Sequence, residues 1–494
     1  MLYIQLKIIS AMICITLIFL CGCKASFSQL FEYDNDNAFL FNSAGKAIKA
    51  SEYIQRERSS LNAQLKITTQ GEYMISCKDF IYKGNPGDRV FPVYENENFL
   101  YLLTEKNSDY IQLLEWNRKQ KNIRLYPHEK REAVGIIIFE KLHGIQYMGD
   151  EFHCTFFTQE FKQLDLMLRR HYQTENLLWK SHSPDGKHWL VQLFFQQKPS
   201  LYVVCNIDSA TWRELSDTSP YKPDLTQKKE VFRFIASDGK EISGILSYPP
   251  ARFGTRNLPL IVFPHGGPQT RSMLVFDPRV EQLTQNGFLV FQPNYRGSIG
   301  QGKQFRQAGW KADGIRRALA DIADGTHELL RQNLVNPRKT AILGGSWGGY
   351  CSLASVMLYP ELYKAAISFF GVTDLFSMLH EFLPSSGANQ ALDRLQYGDI
   401  SNPTVEWELK KLSPYFQAET IKVPILLYHF KDDKVVSFQQ SQNFYCKKLK
   451  HGEKIIFING RGEHGFPTPS AESEAYEQVI RFLKEVFQDE QQIQ

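Results

Sequence analysis

From residue 228 to residue 490 the chain alternates compact apolar runs with longer stretches whose apolar residues recur at helical spacing. The apolar runs predict strands at 258–263, 287–293, 340–343, 365–370, 423–429 and 454–458. The other stretches predict helices at 314–334, 350–358, 437–450 and 471–487. Strands and helices in this rhythm form a mostly parallel sheet with helices on both faces. Residues 228–490 are therefore predicted to be a doubly wound α/β domain.

Residues 23–227 have a different pattern, typical of short strands joined by turns. Runs rich in aromatic and β-branched residues lie at 99–104, 110–117, 189–195 and 201–207. The runs that begin at 99 and 189 are about ninety residues apart, which is twice the size of a four-stranded propeller blade. This half is predicted to be a β-rich domain. It is either propeller-like with about four blades or an irregular β domain without closure.

Composition excludes several classes of protein. The chain has 494 residues, with 57 Lys and Arg against 53 Asp and Glu. The net charge of +4 is spread without basic runs, which argues against nucleic-acid binding. Gly and Pro show no repeat, and there is one long apolar run, so collagen, disorder and a multi-span membrane protein are excluded.

That apolar run, residues 8–20, predicts an export signal. It follows a single cation, Lys7, and is too short to cross a bilayer comfortably. The sequence Leu20-Cys21-Gly22-Cys23 resembles a bacterial lipobox, in which Cys23 becomes the lipidated N-terminus. Residues 1–22 are thus predicted to be a lipoprotein signal peptide, and the protein a lipid-anchored cell-envelope protein that meets the membrane through that anchor. A plain secreted protein or an uncleaved signal anchor is the alternative.

Cysteine usage predicts neither a disulfide scaffold nor a metal site. Five cysteines beyond the signal region are odd in number and scattered: Cys77, Cys154, Cys205, Cys351 and Cys446. Their pairing cannot be deduced from the sequence. No CxxC or HExxH pattern occurs, which argues against a structural zinc site and against a zinc protease. We expect no metal and no organic cofactor.

The sharpest local signal is Gly344-Gly345-Ser346-Trp347-Gly348, between a predicted strand and a predicted helix. A serine held on so tight a turn needs small residues on both sides, and Gly344 and Gly348 supply them. This context predicts that Ser346 is a nucleophile.

A serine nucleophile needs a base, and the base needs an orienting acid. In α/β-hydrolases these residues follow the serine in the order acid, then histidine, after later strands. Asp433 follows the 423–429 strand and His464 follows the last strand, which makes them the candidates. Asp432 is the alternative acid, and His429 and His451 are the alternative bases.

The oxyanion that forms on the attacked carbonyl needs two backbone N–H donors, one normally from the residue after the nucleophile. That residue is Trp347. The second donor is expected in the loop Pro264-His265-Gly266-Gly267-Pro268, which follows the first strand of the predicted parallel sheet.

Five motifs occur in order along the α/β half. They are His265-Gly266-Gly267-Pro268, Asn294-Tyr295-Arg296-Gly297-Ser298, Gly344-Gly345-Ser346-Trp347-Gly348-Gly349-Tyr350, His429 with Asp433 and Val436, and Glu463-His464-Gly465-Phe466. Together they resemble the prolyl oligopeptidase family of serine peptidases, and are most similar to its acylaminoacyl-peptidase and dipeptidyl-peptidase-like branch. The resemblance covers about residues 228–490.

The resemblance implies an α/β-hydrolase domain preceded by a β-propeller. It assigns Ser346, Asp433 and His464 as nucleophile, acid and base, and the amides of Gly267 and Trp347 as the oxyanion hole. It also implies that the pocket for the residue before the scissile bond is lined by Trp347, Val372, Leu375, Met378 and Val436. Because these five side chains are apolar, an uncharged, hydrophobic or proline-like residue is expected there. The alternative is that Val372 and Met378 are simply core.

Some residues depart from the family pattern. Phe430 stands where the family usually has Gly, and Trp347 where it usually has Tyr. The β-rich half offers no Glu-Glu pair of the kind that binds a free peptide N-terminus. The run from Gly297 to Lys303 fits a phosphate loop by spacing, but Gln304 follows where a Walker loop needs Ser or Thr.

The sequence therefore predicts a serine peptidase that cleaves short peptides through an acyl-enzyme. Two alternatives remain open, a carboxylesterase that uses the same triad and a catalytically inactive envelope-binding lipoprotein. Exopeptidase or endopeptidase mode and the oligomeric state stay undetermined.

Overall fold

The computed structural model describes residues 39–41, 47–49, 64–67, 72–77, 80–128, 130–215, 227–382, 393–450, 452 and 454–492. The predicted signal peptide, Cys23 and His451 lie outside these residues. Within the described ranges, no helix is both long enough and apolar enough to cross a membrane.

The N-terminal half consists of antiparallel sheets that follow one another along the chain. Its strands are β1 (Phe39–Phe41), β2 (Ala47–Lys49), β3 (Gln64–Ile67), β4 (Glu72–Cys77), β5 (Phe80–Pro86), β6 (Val90–Glu95), β7 (Phe99–Thr104), β8 (Gln112–Asn117), β9 (Asn122–Tyr126), β10 (Glu132–Phe139), β11 (Lys141–Met148), β12 (Phe152–Phe156), β13 (Asn176–His182), β14 (His188–Phe194), β15 (Leu201–Asn206) and β16 (Thr211–Glu214). The sheets are β1-β2, β3-β4-β5, β6-β7-β8-β9, β10-β11-β12 and β13-β14-β15-β16. The predicted runs at 99 and 189 are β7 and β14, which lie in the two four-stranded sheets.

This half also contains a helix that the strand-and-turn interpretation missed. Helix α1 (Gln159–Tyr172) buries Phe161, Leu164 and Leu168 in the core of the last sheet. The spacing of these three residues is helical and could have predicted the element. The helix is held by Asp165, which accepts hydrogen bonds from the Trp179 indole at 3.2 Å and from Arg169 at 2.6 Å.

The C-terminal half is built on one eight-stranded sheet. Its strands are β17 (Lys229–Ile235), β18 (Glu241–Ser247), β19 (Leu258–Val262), β20 (Leu289–Asn294), β21 (Val335–Gly345), β22 (Ala366–Phe369), β23 (Ile425–Phe430) and β24 (Ile455–Gly460). Their order is β17-β18-β20-β19-β21-β22-β23-β24. The hairpin β17-β18 runs antiparallel and the other six strands are parallel. The carboxyl ends of these six strands therefore share one edge.

Helices cover both faces of this sheet. They are α2 (Pro278–Gln285), α3 (Lys303–Gln307), α4 (Lys311–Arg331), α5 (Trp347–Leu358), α6 (Leu375–Phe382), α7 (Pro403–Lys411), α8 (Phe438–Lys450) and α9 (Pro469–Gln492), with a 3-10 helix at Pro414–Thr420. In β19, Leu260 and Val262 join the core beneath α4 and α5, whereas Ile261 joins the core beneath α2 and α9. This alternation explains why the strand sequence is apolar throughout.

The two halves meet at α3 through buried ion pairs. Arg306 lies 2.8 Å from Glu105, which follows β7, and both side chains are almost fully buried. Glu105 also pairs with Arg89 at 2.5 Å. Lys303, the lysine of the phosphate-loop-like run, lies 2.9 Å from Asp88. Lys303 therefore contacts the β-rich half.

Candidate active site

Ser346 occupies the turn between β21 and α5. Its φ is 56° and its ψ is −122°, a conformation that costs a residue with a side chain on the order of 1–3 kcal/mol. The helix begins at Trp347, earlier than the predicted start at 350, so the serine stands directly at its N-terminus. A Cβ on Gly344 would lie 2.3 Å from the Gly348 carbonyl carbon, and one on Gly348 would lie 2.3 Å from the Pro264 oxygen. Larger residues therefore could not occupy these positions without moving the backbone.

The loop after β19 lies over this turn. A Cβ placed on Gly266 would stand 3.6 Å from the Ser346 Cβ. Gly267 has a φ of 119°, and its amide and the Trp347 amide donate to no other residue in the described part of the chain. The two predicted oxyanion donors are thus free, and the loop that carries Gly267 reaches the nucleophile.

His265 holds that loop in place through contacts of its buried side chain. Its ring stacks on Tyr295 with 4.4 Å between centroids, and its Nε2 lies 2.8 Å from the Ser298 hydroxyl. Its Nδ1 lies within 3.1 Å of the Thr270 hydroxyl. Burial lowers the pKa of His265 to about 4, with a smaller contribution from the charge of Arg271. The ring is therefore neutral at pH 7 and acts as a structural support.

Asp433 and His464 come together at the same edge of the sheet. The Asp433 Oδ2 lies 2.7 Å from the His464 Nδ1, although the two residues lie in separate loops, one after β23 and one after β24. The other carboxylate oxygen accepts the amides of Val435 and Val436 at 2.8 and 2.9 Å. Burial raises the pKa of Asp433, but hydrogen bonds from His429 and His464 outweigh it and hold that pKa well below its usual range. The acid stays ionised and can fix the His464 ring.

Asp432, the alternative acid, and His429, the alternative base, do not take the places of Asp433 and His464 in this contact. Asp432 is exposed, and its carboxylate accepts the Gly462 amide at 3.3 Å, not His464. His429 is fully buried, with its Nδ1 2.7 Å from the Ser441 hydroxyl and its Nε2 3.2 Å from Asp433. His429 therefore faces the acid from the interior, whereas His464 faces it from the partly open side.

Phe370 connects the serine turn with His464, and sequence reasoning gave it no role. Its ring packs at a steep angle against the His464 ring, with 5.0 Å between centroids. A Cβ on Gly345 would lie 3.3 Å from the same ring. The amide of Ser346 donates to the carbonyl of Phe369 at 2.9 Å. Phe370 has a φ of 40°, which is unusual for a bulky residue and could not be read from the sequence.

The Ser346 hydroxyl has no hydrogen-bond partner among the described residues, His464 included. Hydrogen bonds between catalytic groups often tighten only when substrate is bound. The arrangement thus offers a free hydroxyl, a histidine oriented by an ionised acid and two free amides at one edge of the sheet. Groups of this kind can perform acyl transfer.

The five side chains assigned to the specificity pocket are all buried and belong to one apolar cluster. Their exposed fractions are 5% for Trp347, 2% for Val372, 0% for Leu375, 8% for Met378 and 3% for Val436. Tyr397, which sequence reasoning missed, joins them with its ring centroid 6.2 Å from that of Trp347. No distinct sequence signal marks Tyr397. The cluster fits either an apolar subsite wall or core.

Phe430, the residue that departs from the family pattern, fills space beside the last loop. A Cβ on Gly462 would lie 3.0 Å from its ring, and the ring centroid lies 5.7 Å from that of Phe466. The large side chain is therefore accommodated with Asp433 still in contact with His464.

Comparison with protein-family models gives a match to the prolyl oligopeptidase family over residues 274–490. Among curated proteins, dipeptidyl peptidase family member 6 from Caenorhabditis elegans is 25% identical over 427 residues, which are 81% of this chain and 57% of that protein. The human acylamino-acid-releasing enzyme is 25% identical over 284 residues, 56% of this chain and 38% of that protein. The chain thus spans less than two thirds of the length of these relatives.

Solved structures share the fold. A puromycin-hydrolysing peptidase from Mycobacterium tuberculosis superimposes with a TM-score of 0.73 at 18% identity, covering 86% of this chain and 68% of that one. An acylaminoacyl peptidase from Pyrococcus horikoshii gives a TM-score of 0.63 at 18% identity, covering 84% and 65%. The chain is thus similar to serine peptidases of the prolyl oligopeptidase family, whose family model matches residues 274–490 of the α/β half and whose solved structures share the fold of a β-rich N-terminal half and an α/β-hydrolase sheet.

Proposed function

We propose that the protein hydrolyses short peptides, with Ser346 as nucleophile, His464 as base and Asp433 as the acid that orients the base. The observation that carries the proposal is the 2.7 Å contact between Asp433 and His464 at the sheet edge where the strained Ser346 turn also stands. The family matches support the general reaction, peptide hydrolysis by a serine peptidase.

Acylation begins when His464 Nε2 takes the proton of the Ser346 hydroxyl as its oxygen attacks the peptide carbonyl. Asp433 holds the Nδ1–H of His464 and stabilises the imidazolium that forms. Negative charge on the carbonyl oxygen is met by the amides of Gly267 and Trp347. His464 then donates its proton to the departing amine, and the leaving peptide diffuses away.

Deacylation repeats the sequence with water as nucleophile. His464 removes a proton from the water, the water oxygen attacks the Ser346 ester, and the serine oxygen recovers the proton as it leaves. Neither half-reaction uses a metal or an organic cofactor.

The specificity part of the proposal rests on the apolar side chains beside the serine turn. The wall that contacts the residue before the scissile bond is formed by Trp347, Val372, Leu375, Met378 and Val436. A charged side chain placed there would lose its hydration without a partner, which is costly. A hydrophobic or proline-like residue is therefore preferred.

A peptide panel with a varied residue before the scissile bond tests this preference. We expect fastest cleavage after Phe, Leu, Met or Pro, and cleavage after Lys or Arg slower by at least about tenfold, the ratio that 1.4 kcal/mol gives. Equal or faster cleavage after Lys or Arg would refute the proposed pocket.

A fluorophosphonate probe tests the nucleophile and the alternatives together. Wild type and the Asp432→Asn control should be labelled, whereas Ser346→Ala should not. Hydrolysis of p-nitrophenyl esters without hydrolysis of any peptide amide would favour the carboxylesterase. The absence of labelling in a folded wild-type protein would favour the inactive binding protein.

The proposal includes export to the cell envelope and lipidation at Cys23, as the N-terminal sequence predicts. Expression of the full chain in a bacterium with a radiolabelled fatty acid tests it. Wild type should carry the label and enter the membrane fraction, and Cys23→Ser should do neither. Labelling of both variants, or of neither, would contradict lipidation at Cys23.

A further inference from the structure

A polar cavity of about 620 Å³ lies between the β-rich half and the α/β sheet. The β-rich half contributes Tyr110, Lys130, Arg131 and the segment 149–153. The α/β half contributes residues of the β17-β18 hairpin, Arg271 and the start of α3. None of these residues belongs to the proposed triad, the oxyanion hole or the specificity pocket.

The cavity is at the same edge of the sheet as Ser346 but is displaced to one side of it. Ser243 in its wall pairs with Asn294, the last residue of β20, so the cavity lies near the carboxyl ends of the parallel strands. In the strand order, β18 and β20 are on one side of β21, and β22 and β23 are on the other. The proposed specificity pocket follows β22 and β23. A peptide bound across Ser346 with its acyl part in that pocket would therefore direct its leaving part towards the cavity.

The cavity is within reach of a short leaving peptide. Arg271 follows the proposed oxyanion residue Gly267 by four positions, so their Cα atoms are at most about 14 Å apart. An extended peptide covers that distance in about four residues. A leaving fragment of two to four residues could thus place its C-terminus in the cavity.

Cations outnumber carboxylates in the wall. The five cations are Lys130, Arg131, Arg233, Lys240 and Arg271. The three carboxylates are Asp150, Glu151 and Glu241. The wall therefore carries a net positive charge and should attract anions.

The buried part of the wall contains hydrogen-bond donors that have no acceptor among the described residues. Asp150 already accepts from two arginines, Arg233 at 2.5 Å and Arg271 at 2.7 Å. The Arg271 side chain is 1% exposed, yet its Nε has no acceptor among the described residues, and neither has the Nε2 of Gln301. Burial lowers the pKa of Arg271, with Asp150 and Glu132 acting in the opposite direction. A carboxylate bound in the cavity would add to the compensation that Asp150 already gives the buried charge of Arg271.

We propose that this cavity binds the C-terminal carboxylate of the leaving peptide, so that the enzyme selects short peptides with a free C-terminus. The inference rests on the proposed peptidase function. It adds a recognition site for the leaving group, in which Arg271 and the neighbouring cations meet the carboxylate. These residues bind substrate and take no part in proton transfer.

Matched peptides test the inference. Two fluorogenic peptides share the same acyl part and the same leaving tripeptide, and one ends in a free acid and the other in an amide. We expect kcat/KM to be at least about fivefold higher for the acid at low salt, because a charge-assisted contact is lost in the amide. The ratio should fall as salt screens the exposed cations.

Variants of the exposed cations locate the effect. Lys130→Gln and Lys240→Gln should each reduce the acid-to-amide ratio, and the double variant should bring it close to one. Lys119→Gln, an exposed lysine of the β-rich half outside the cavity, is the matched control and should keep the wild-type ratio. A p-nitrophenyl ester of the same acyl group has no leaving peptide, so the changes at Lys130 and Lys240 should affect its hydrolysis less than they affect cleavage of the acid peptide, and Lys119→Gln should hydrolyse it as wild type does.

Equal cleavage of acid and amide by wild type would overturn the inference while leaving the peptidase proposal intact. A preference that follows an Asp side chain in the leaving part and ignores the terminus would also overturn it. Failure to cleave any peptide would defeat the proposed function itself, and ester hydrolysis would show that the protein was folded.

Discussion

The Nε2 of His429 lies 3.2 Å from the Oδ2 of Asp433, and both side chains are fully buried. The same nitrogen lies 2.9 Å from the Val436 carbonyl oxygen, which can only accept. The Nε2 must therefore carry the proton, and the Ser441 hydroxyl, 2.7 Å from Nδ1, is the donor on the other side of the ring. His429 thus holds the oxygen of Asp433 that also meets His464.

We expect His429→Leu to weaken catalysis through Asp433. Loss of one donor to a buried carboxylate costs about 1.5–3 kcal/mol, which predicts a decrease in kcat of about 10- to 100-fold. The pKa of Asp433 should rise, because the hydrogen bond from His429 is one of those that hold it low. The carboxylate would then attract the protonated base more strongly, so the acidic limb of the kcat/KM profile should move to higher pH. Ser441→Ala is the control, because it keeps the Nε2–H that faces Asp433. A variant with wild-type kcat and an unchanged profile would show that His429 only fills space.

The assignment of the acid can be tested with two neighbouring residues. Asp433→Asn should lower kcat by about 10⁴-fold, because the histidine loses the partner that fixes its tautomer. Asp432→Asn should leave kcat within about threefold of wild type, since its exposed carboxylate contacts the Gly462 amide and surface hydrogen bonds are weak. Steady-state kinetics on one peptide substrate measures both. Greater damage from the Asp432 change would reverse the assignment.

His265 should make the protein sensitive to acid. Its pKa is about 4 in the folded protein and about 6.5 in an unfolded chain. Between these values the unfolded chain takes up a proton that the folded protein excludes. The stability contributed by neutral His265 is therefore complete above about pH 6.5 and is lost as the pH falls towards 4, on the order of 3 kcal/mol in all.

Thermal melting at pH 7 and pH 5 measures this effect. The decrease in Tm between the two values should be smaller in His265→Gln than in wild type. His171→Gln, at an exposed histidine, should behave as wild type. An identical decrease in all three proteins would mean that His265 is not the acid-sensitive group.

Local patterns were enough to predict the parallel sheet and to propose the catalytic residues. Ser346 could be proposed because a glycine-flanked serine between a strand and a helix is a short-range signal. Asp433 and His464 could be proposed because the ends of parallel strands meet at one edge. The structure brings these two side chains into contact.

Contacts between distant segments could not be predicted in the same way. The His429–Asp433 contact depends on how the loop after β23 turns back, and the φ of Phe370 depends on tertiary packing. The contact of Arg306 with Glu105 joins residues far apart in sequence, and neither has a local pattern that marks a partner. Helix α1 is a different case. Its apolar residues have helical spacing and could have predicted the helix, but its region was interpreted as strands and turns.

The link between Arg306 and Glu105 should dominate the stability of the contact between the two halves. Glu105 is fully buried and pairs with Arg89 at 2.5 Å and with Arg306 at 2.8 Å. Burial raises the pKa of Glu105, but the charges of Arg306 and Arg89 outweigh it and lower that pKa overall. The side chain is thus a carboxylate at neutral pH, and its removal leaves two buried cations with less compensation.

We expect Glu105→Gln to lower the free energy of unfolding by about 3–5 kcal/mol, the usual cost of breaking a buried ion pair from one side. Urea denaturation followed by tryptophan fluorescence measures the change. Lys83→Gln, which removes the half-exposed lysine of the pair with Glu72, is the control and should cost less than about 1 kcal/mol. A similar loss of unfolding free energy in the two variants would contradict this prediction. It would mean that solvent compensates the charges of Arg89 and Arg306 once Glu105 is replaced, and that the buried pairs at α3 do not hold the two halves together.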